Sequence, residues 1–155
     1  DVEAVRAEKK VIYDRIIAEE LTLKPGANTL VYELAGQCTL AVASGSRVES
    51  IQGCLAKFGL LDCFNDVFSA TTLPRSKPHP DVYLHALSAL TANPARTLAL
   101  EDSTLGMRAA LAAGIACVVC PDTSNPSASL DHTGAALVVD SLVQLNYNTL
   151  AGLMD

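Results

Sequence analysis

The 155-residue sequence predicts an α/β fold: a doubly wound, Rossmann-like parallel sheet with helices on both faces. Three observations carry that reading. Short apolar runs alternate with stretches of helical length. The apolar runs, such as CTLAVA at 38–43 and IACVV at 115–119, lack polar alternation, as strands covered on both faces do. A further run, 97–100, stops on two adjacent carboxylates, Glu101 and Asp102, directly before a helix-capping Ser103-Thr104 pair.

The elements follow in order. Residues 1–23 read as a charged amphipathic helix, with Val5, Ile12, Ile16 and Ile17 on one face and Glu3, Arg6, Glu8, Lys9 and Lys10 on the other. Lys24-Pro25-Gly26 breaks it. Residues 27–35 form a second helix, facing inward through Leu30, Val31 and Leu34 and stopped by Gly36. The first strand, 38–43, runs into Ser44-Gly45-Ser46 and a helix over 47–58. A second strand covers 66–70. Then comes Arg75-Ser76-Lys77-Pro78-His79-Pro80-Asp81, whose prolines are expected to hold Lys77 in a stiff, extended segment, with Pro80 opening a helix over 81–90. His79 and His85 read as helix-start and surface residues. The helix after Ser103 has Leu105, Ala109, Leu111 and Ala112 as apolar positions. A fourth strand at 115–119, a polar loop at 121–129, a short fifth strand at 136–139, a last helix near 141–145 and a polar tail complete the chain.

Composition narrows the function classes. Half the residues are hydrophobic, enough for the core of one domain. The net charge of -6, without a basic run, disfavours nucleic acid or an anionic membrane as partner. No apolar run approaches a membrane span, and no signal-peptide pattern opens the sequence. The cysteines, Cys38, Cys54, Cys63, Cys117 and Cys120, are odd in number and lie mainly in apolar segments. They read as reduced, buried thiols of a cytoplasmic protein. Cys117 and Cys120 sit three apart on a predicted strand, so their sulfurs diverge and are assigned to the core.

Three segments carry chemistry. Carboxylates at the C-terminal end of a parallel strand lie where open α/β sheets place ligands, and two adjacent acids ask for a cation such as Mg²⁺. The same residues would also serve as a helix cap and a solvated acid. Ser44, Gly45 and Ser46 form a strand-to-helix turn able to cradle an anion, though such turns are common. Lys77, aimed by its prolines, suits a point-charge contact to a phosphate or an acidic nucleophile.

Together, LAVASGS, SKPHPD and LALEDSTLGMRAALAAG resemble, in order, the second, third and fourth motifs of the haloacid dehalogenase-like hydrolase superfamily. The similarity is to the subfamily holding β-phosphoglucomutase and phosphoglycolate phosphatase, and it covers residues 25 to about 140. The resemblance implies that Ser44, with Gly45 and Ser46, and Lys77 bind phosphate, Ser44 and Lys77 being the catalytic candidates. It implies that Glu101 and Asp102 hold Mg²⁺, and that residues 1–24 are a remnant of a helical cap and linker before a core at 25–155. The family's first motif, a strand ending Asp-x-Asp-x-Thr whose first Asp is the nucleophile, is absent from these residues. In the family that strand is central, so the strands at 38–43 and 97–100 are expected to flank an open slot, a route to self-association. The implied activity is a Mg²⁺-dependent phosphohydrolase acting on a small phosphorylated metabolite through an aspartyl-phosphate on an Asp outside this sequence. The alternatives are a phosphomutase such as β-phosphoglucomutase, or a truncated, non-catalytic protein binding phosphate or a partner. These residues alone are expected to be inactive, because none replaces the aspartate nucleophile.

Overall fold

The computed structural model describes residues 19–122 and 131–154, together with Val5, Glu8, Ile12 and Arg15. Strand β1 (Ala41–Ser44) pairs in parallel with β2 (Asp66–Ser69), Ser44 opposite Ser69. Strands β3 (Leu98–Glu101), β4 (Ala116–Val119) and β5 (Leu137–Val138) form a second parallel sheet in that order. Among the described residues no ladder joins β1 to β3, so one edge of each is unpaired, as the sequence led us to expect.

Helices α1 (Ala27–Ala35), α2 (Val48–Lys57), α3 (Asp81–Ala89), α4 (Thr104–Ala112) and α5 (Tyr147–Ala151) complete the doubly wound pattern. On one face α3 and α4 bury Val82, Tyr83, Leu87, Met107, Ala109 and Ala110 against Phe68, Cys117 and Val119. On the other, α1 and α5 bury Leu30, Leu34 and Leu150 against Val118, Cys120 and Val139. Strand β4 therefore contributes to both cores, which is why its sequence shows no polar alternation. Cys117 and Cys120 fall in opposite cores, as their spacing required. Gly26 enters α1 at φ 87, where a side chain would also collide with the backbone of Leu142 and Val143.

Several expectations need correction. The first strand begins at Ala41, not at residue 38. The Cys38 N–H is spent on Leu34 O (3.0 Å) and the Leu40 N–H on Asn65 Oδ1 (2.9 Å). The expected helix near 141–145 is one 3₁₀ turn, Leu142–Gln144, closed by a Ser141–Gln144 capping box, and the supposed polar tail folds as α5, capped by Asn146. All five thiols are free, but only Cys117 and Cys120 are buried; Cys38 is exposed and Cys54 and Cys63 are intermediate. Val5, Glu8, Ile12, Arg15 and Glu19 are helical, yet Val5 and Ile12 are exposed; Ile16 and Ile17 lie outside the described residues. Most of the polar loop expected at 121–129 also lies outside them. No helix among the described residues is long and apolar enough to cross a membrane.

Helix α4 fixes the site's geometry, and of its expected apolar positions Ala109 is buried while Leu105 is exposed. Its buried arc centres on Gly106, Ala110 and Ala113, with Met107 only 1% exposed, while Leu105 lies about one helical step (roughly 100°) off that arc and is 52% exposed. Truncating Met107 to Ala is expected to cost about 2–5 kcal/mol in chemical denaturation. The Leu105→Ala change is expected to stay within about 0.5 kcal/mol. Equal losses at the two positions would contradict this orientation.

Candidate functional site

Parallel pairing sends the C-terminal ends of β1 and β2 to one edge, and those of β3 and β4 likewise to one edge. The Lys77 side chain connects the two sets. Its Nζ donates to Ala43 O (3.1 Å), one residue before the end of β1, and to Glu101 Oε1 (2.5 Å), the last residue of β3. The segment that carries Lys77 is not extended, as expected, but turned: the His79 N–H closes onto Ser76 O (3.0 Å), around a cis Lys77–Pro78 peptide. Pro78 has no N–H to offer a strand partner, so the turn is closed by the next residue's amide. Pro80 precedes α3, and His79 and His85 are exposed, as predicted.

Glu101 is held from three sides. Its carboxylate is 8% exposed, and Lys77 is 20% exposed. The Tyr83 hydroxyl, delivered by the first turn of α3, also donates to Glu101 Oε1, and the Lys77 ammonium lies 5.2 Å from the Tyr83 ring centroid. On the third side a Cβ at Gly106 would overlap the carboxylate, so the close approach of α4 requires glycine there. The Ser103 Oγ, accepting from the Gly106 N–H (3.1 Å), starts the helix that sets this distance. Tyr83 escaped the sequence reading because nothing in the pattern separates it from a core aromatic.

The adjacent acids do not share a location. Asp102 is exposed, whereas Glu101 turns inward to Lys77 and Tyr83. The Asp102 carbonyl accepts from the Asp122 N–H (3.2 Å), so the chain leaving β4 comes back alongside the acid pair. Among the described residues no group of three or more His, Cys, Asp or Glu is placed to hold a metal ion. At the end of β1, Ser44 Oγ accepts from the Ser46 N–H (3.1 Å), which leaves the Ser44 hydroxyl proton free to donate. Gly45 and Ser46 are exposed at this turn, and no heavy atom lies within 4 Å of where a Gly45 Cβ would be.

A family model for haloacid dehalogenase-like hydrolases matches residues 1–114. Protein CbbY of Cereibacter sphaeroides is 35% identical over 159 residues, an alignment spanning 99% of this chain and 66% of CbbY. Hexitol phosphatase B of Escherichia coli K12 is 33% identical over 154 residues, spanning 93% of this chain and 68% of the phosphatase. Among solved structures, CbbY from Rhodobacter sphaeroides in complex with phosphate superposes with a TM-score of 0.85 at 30% identity, over 96% of this chain and 68% of that one. The β-phosphoglucomutase of Clostridium difficile gives 0.81 at 26% identity, over 99% and 68%. The chain thus spans about two thirds of the length of these relatives.

The buried charge at Glu101 also sets a pH dependence. Burial first, and then the Glu101 carboxylate, push the Cys117 thiol from its ordinary 9.0 up to about 12, against a smaller lowering by Lys77. Burial and Glu101 push the Tyr83 hydroxyl up as well. Both groups keep their protons longer folded than unfolded, so the unfolded state loses protons first. Stability is then complete below pH 9 and falls as pH rises above it, with a slope for Cys117 approaching about 1.4 kcal/mol per pH unit. Denaturant unfolding between pH 8 and 10 is expected to show this decline, and Cys117→Ala is expected to flatten it. A decline of the same slope in the Cys117→Ala variant would contradict the assignment.

Proposed function

Because the chain belongs to the haloacid dehalogenase-like hydrolase family, we propose that it forms the phosphate- and metal-binding part of a Mg²⁺-dependent phosphohydrolase acting on a small phosphorylated metabolite. The observation that carries the reading is the placement of the Lys77 ammonium. Two of its three N–H donors are taken by Ala43 O and Glu101 Oε1, so one is left for a ligand oxygen. Residues 25–155 are read as the core, and 1–24 as the remnant of a helical cap and linker. The slot between β1 and β3 is read as the place of an aspartate-bearing strand from outside these residues; without it the two edges offer a route to self-association. Free cysteines fit a cytoplasmic protein.

In this reading the chain's residues bind and orient. Lys77, the Ser44 and Ser46 hydroxyls and the Gly45 amide hold phosphoryl oxygens and neutralise charge that grows as the phosphoryl group transfers. The external aspartate forms the new O–P bond, and the substrate's alcohol oxygen leaves with its electron pair and takes up a proton; water then cleaves the acyl phosphate. Asp102 and Glu101 supply the hard oxygen donors that Mg²⁺ prefers, a fit of donor chemistry to ion, and other ligands would come from water, substrate and outside the chain. When bound, the ion offsets phosphoryl charge. Tyr83 keeps the Glu101 carboxylate oriented in the site. The likeness to β-phosphoglucomutase supports a second reading, transfer of the phosphoryl group back to a sugar rather than to water.

The purified chain with Mg²⁺ is expected to turn over no member of a panel of sugar phosphates, while a longer protein carrying an upstream Asp-x-Asp-x-Thr strand is expected to do so. Turnover by the 155 residues that Ser44→Ala abolishes would make Ser44 the nucleophile. Failure of both would support a non-catalytic binding protein.

A further inference from the structure

We propose that Ser69, at the end of β2, is a positioning residue for the turn Ser44–Arg47, orienting the peptide between Ser46 and Arg47 for a phosphoryl ligand; this rests on the phosphate-binding reading of that turn. Ser69 is 8% exposed, one of only two buried polar residues in the chain's described part. Its register opposite Ser44 places it beneath the turn that follows β1. Its Oγ donates to Ser46 O at 2.6 Å.

The hydrogen bonds of this hydroxyl can be resolved by counting protons. Ser69 Oγ lies 2.7 Å from Thr71 Oγ1 and accepts from the Thr71 N–H at 3.1 Å. A serine hydroxyl carries one proton, and a carbonyl oxygen can only accept. The proton therefore goes to Ser46 O, and Thr71 Oγ1 is the donor toward Ser69. Two donors from Thr71 thus fix the direction of the one Ser69 gives.

Pinning the Ser46 carbonyl fixes more than the carbonyl. The Ser46–Arg47 peptide is trans, so its N–H points opposite to its C=O within one plane. With the carbonyl held on Ser69, the Arg47 N–H is directed away from β2. The preceding amide, of Ser46, is held by Ser44 Oγ at 3.1 Å. Both peptides of the turn are consequently preset before any ligand arrives, and pre-organised donors lose no orientation energy on binding. Without Ser69 the Ser46 carbonyl loses its partner and the peptide is free to rotate.

The test is titration of the chain with inorganic phosphate, followed by amide NMR, together with hydrogen exchange of the Ser46 and Arg47 amides. In the unsubstituted chain the shifts should localise to Ser44, Ser46, Arg47 and Lys77. Ser69→Ala should weaken phosphate about tenfold and speed exchange at those two amides, and Ser69→Thr should restore both to within about twofold. A thermal melt reads stability separately. If Ser69→Ala fails to fold, Thr71→Val, at an exposed position, should weaken phosphate about threefold through loss of the donor that orients Ser69. Unchanged phosphate affinity in these variants overturns the role of Ser69 and leaves the phosphate-binding reading standing. No phosphate-induced shift in the unsubstituted chain overturns that reading, and the inference with it.

Discussion

The ion pair between Lys77 and Glu101 is the contact on which the rest of this site depends. It spans the two sheets where, among the described residues, no backbone ladder does, linking the carbonyl of Ala43 on β1 to the last carboxylate of β3. Every neighbouring feature serves its geometry. The Ser76–His79 turn delivers the lysine, and α3 brings Tyr83 against the carboxylate. Helix α4 approaches closely because position 106 is glycine. Beneath the pair lies an apolar cluster that includes Phe68, Val82, Met107, Cys117 and Val119.

That arrangement is a poor device for stability. Desolvating two charges costs several kcal/mol per ion, and mutual attraction repays this only with near-ideal geometry. The two hydrophobic clusters, one on each face of β4, supply the folding energy. A charge pair placed at the strand ends above such a core makes physical sense if the ammonium serves a ligand. Glu101 then anchors the part-buried lysine at the strand ends, and Tyr83 keeps Glu101 fixed while the lysine is shared with that ligand.

Much of the fold was legible because its determinants are local. Helix α1 runs over the residues its apolar spacing predicted, and all five strands were located to within three residues at each end. The opposed faces of Cys117 and Cys120 follow from the two-residue period of a strand. What could not be read depends on contacts between distant segments. The start of β1 is set by Asn65, and the inner face of α4 by how closely position 106 can approach Glu101. The site was legible as residue types: Ser44, Lys77 and Glu101 came from motif order, and the structure brings Lys77 onto Glu101 and next to the end of β1. That Glu101 would face Lys77 while Asp102 stays exposed was not legible, since adjacent strand residues point to opposite faces and only the packed fold decides which face holds the lysine.

The central claim is that the Lys77–Glu101 pair exists for a phosphoryl ligand rather than for stability. The most direct measurement is a paired thermal melt and inorganic phosphate titration of the double variant Lys77→Met/Glu101→Gln, which removes both charges without leaving one buried alone. The account predicts a melting temperature at or above that of the unsubstituted chain, with phosphate affinity reduced at least about tenfold. A melting temperature lowered by more than about 5 °C with phosphate affinity unchanged would contradict it.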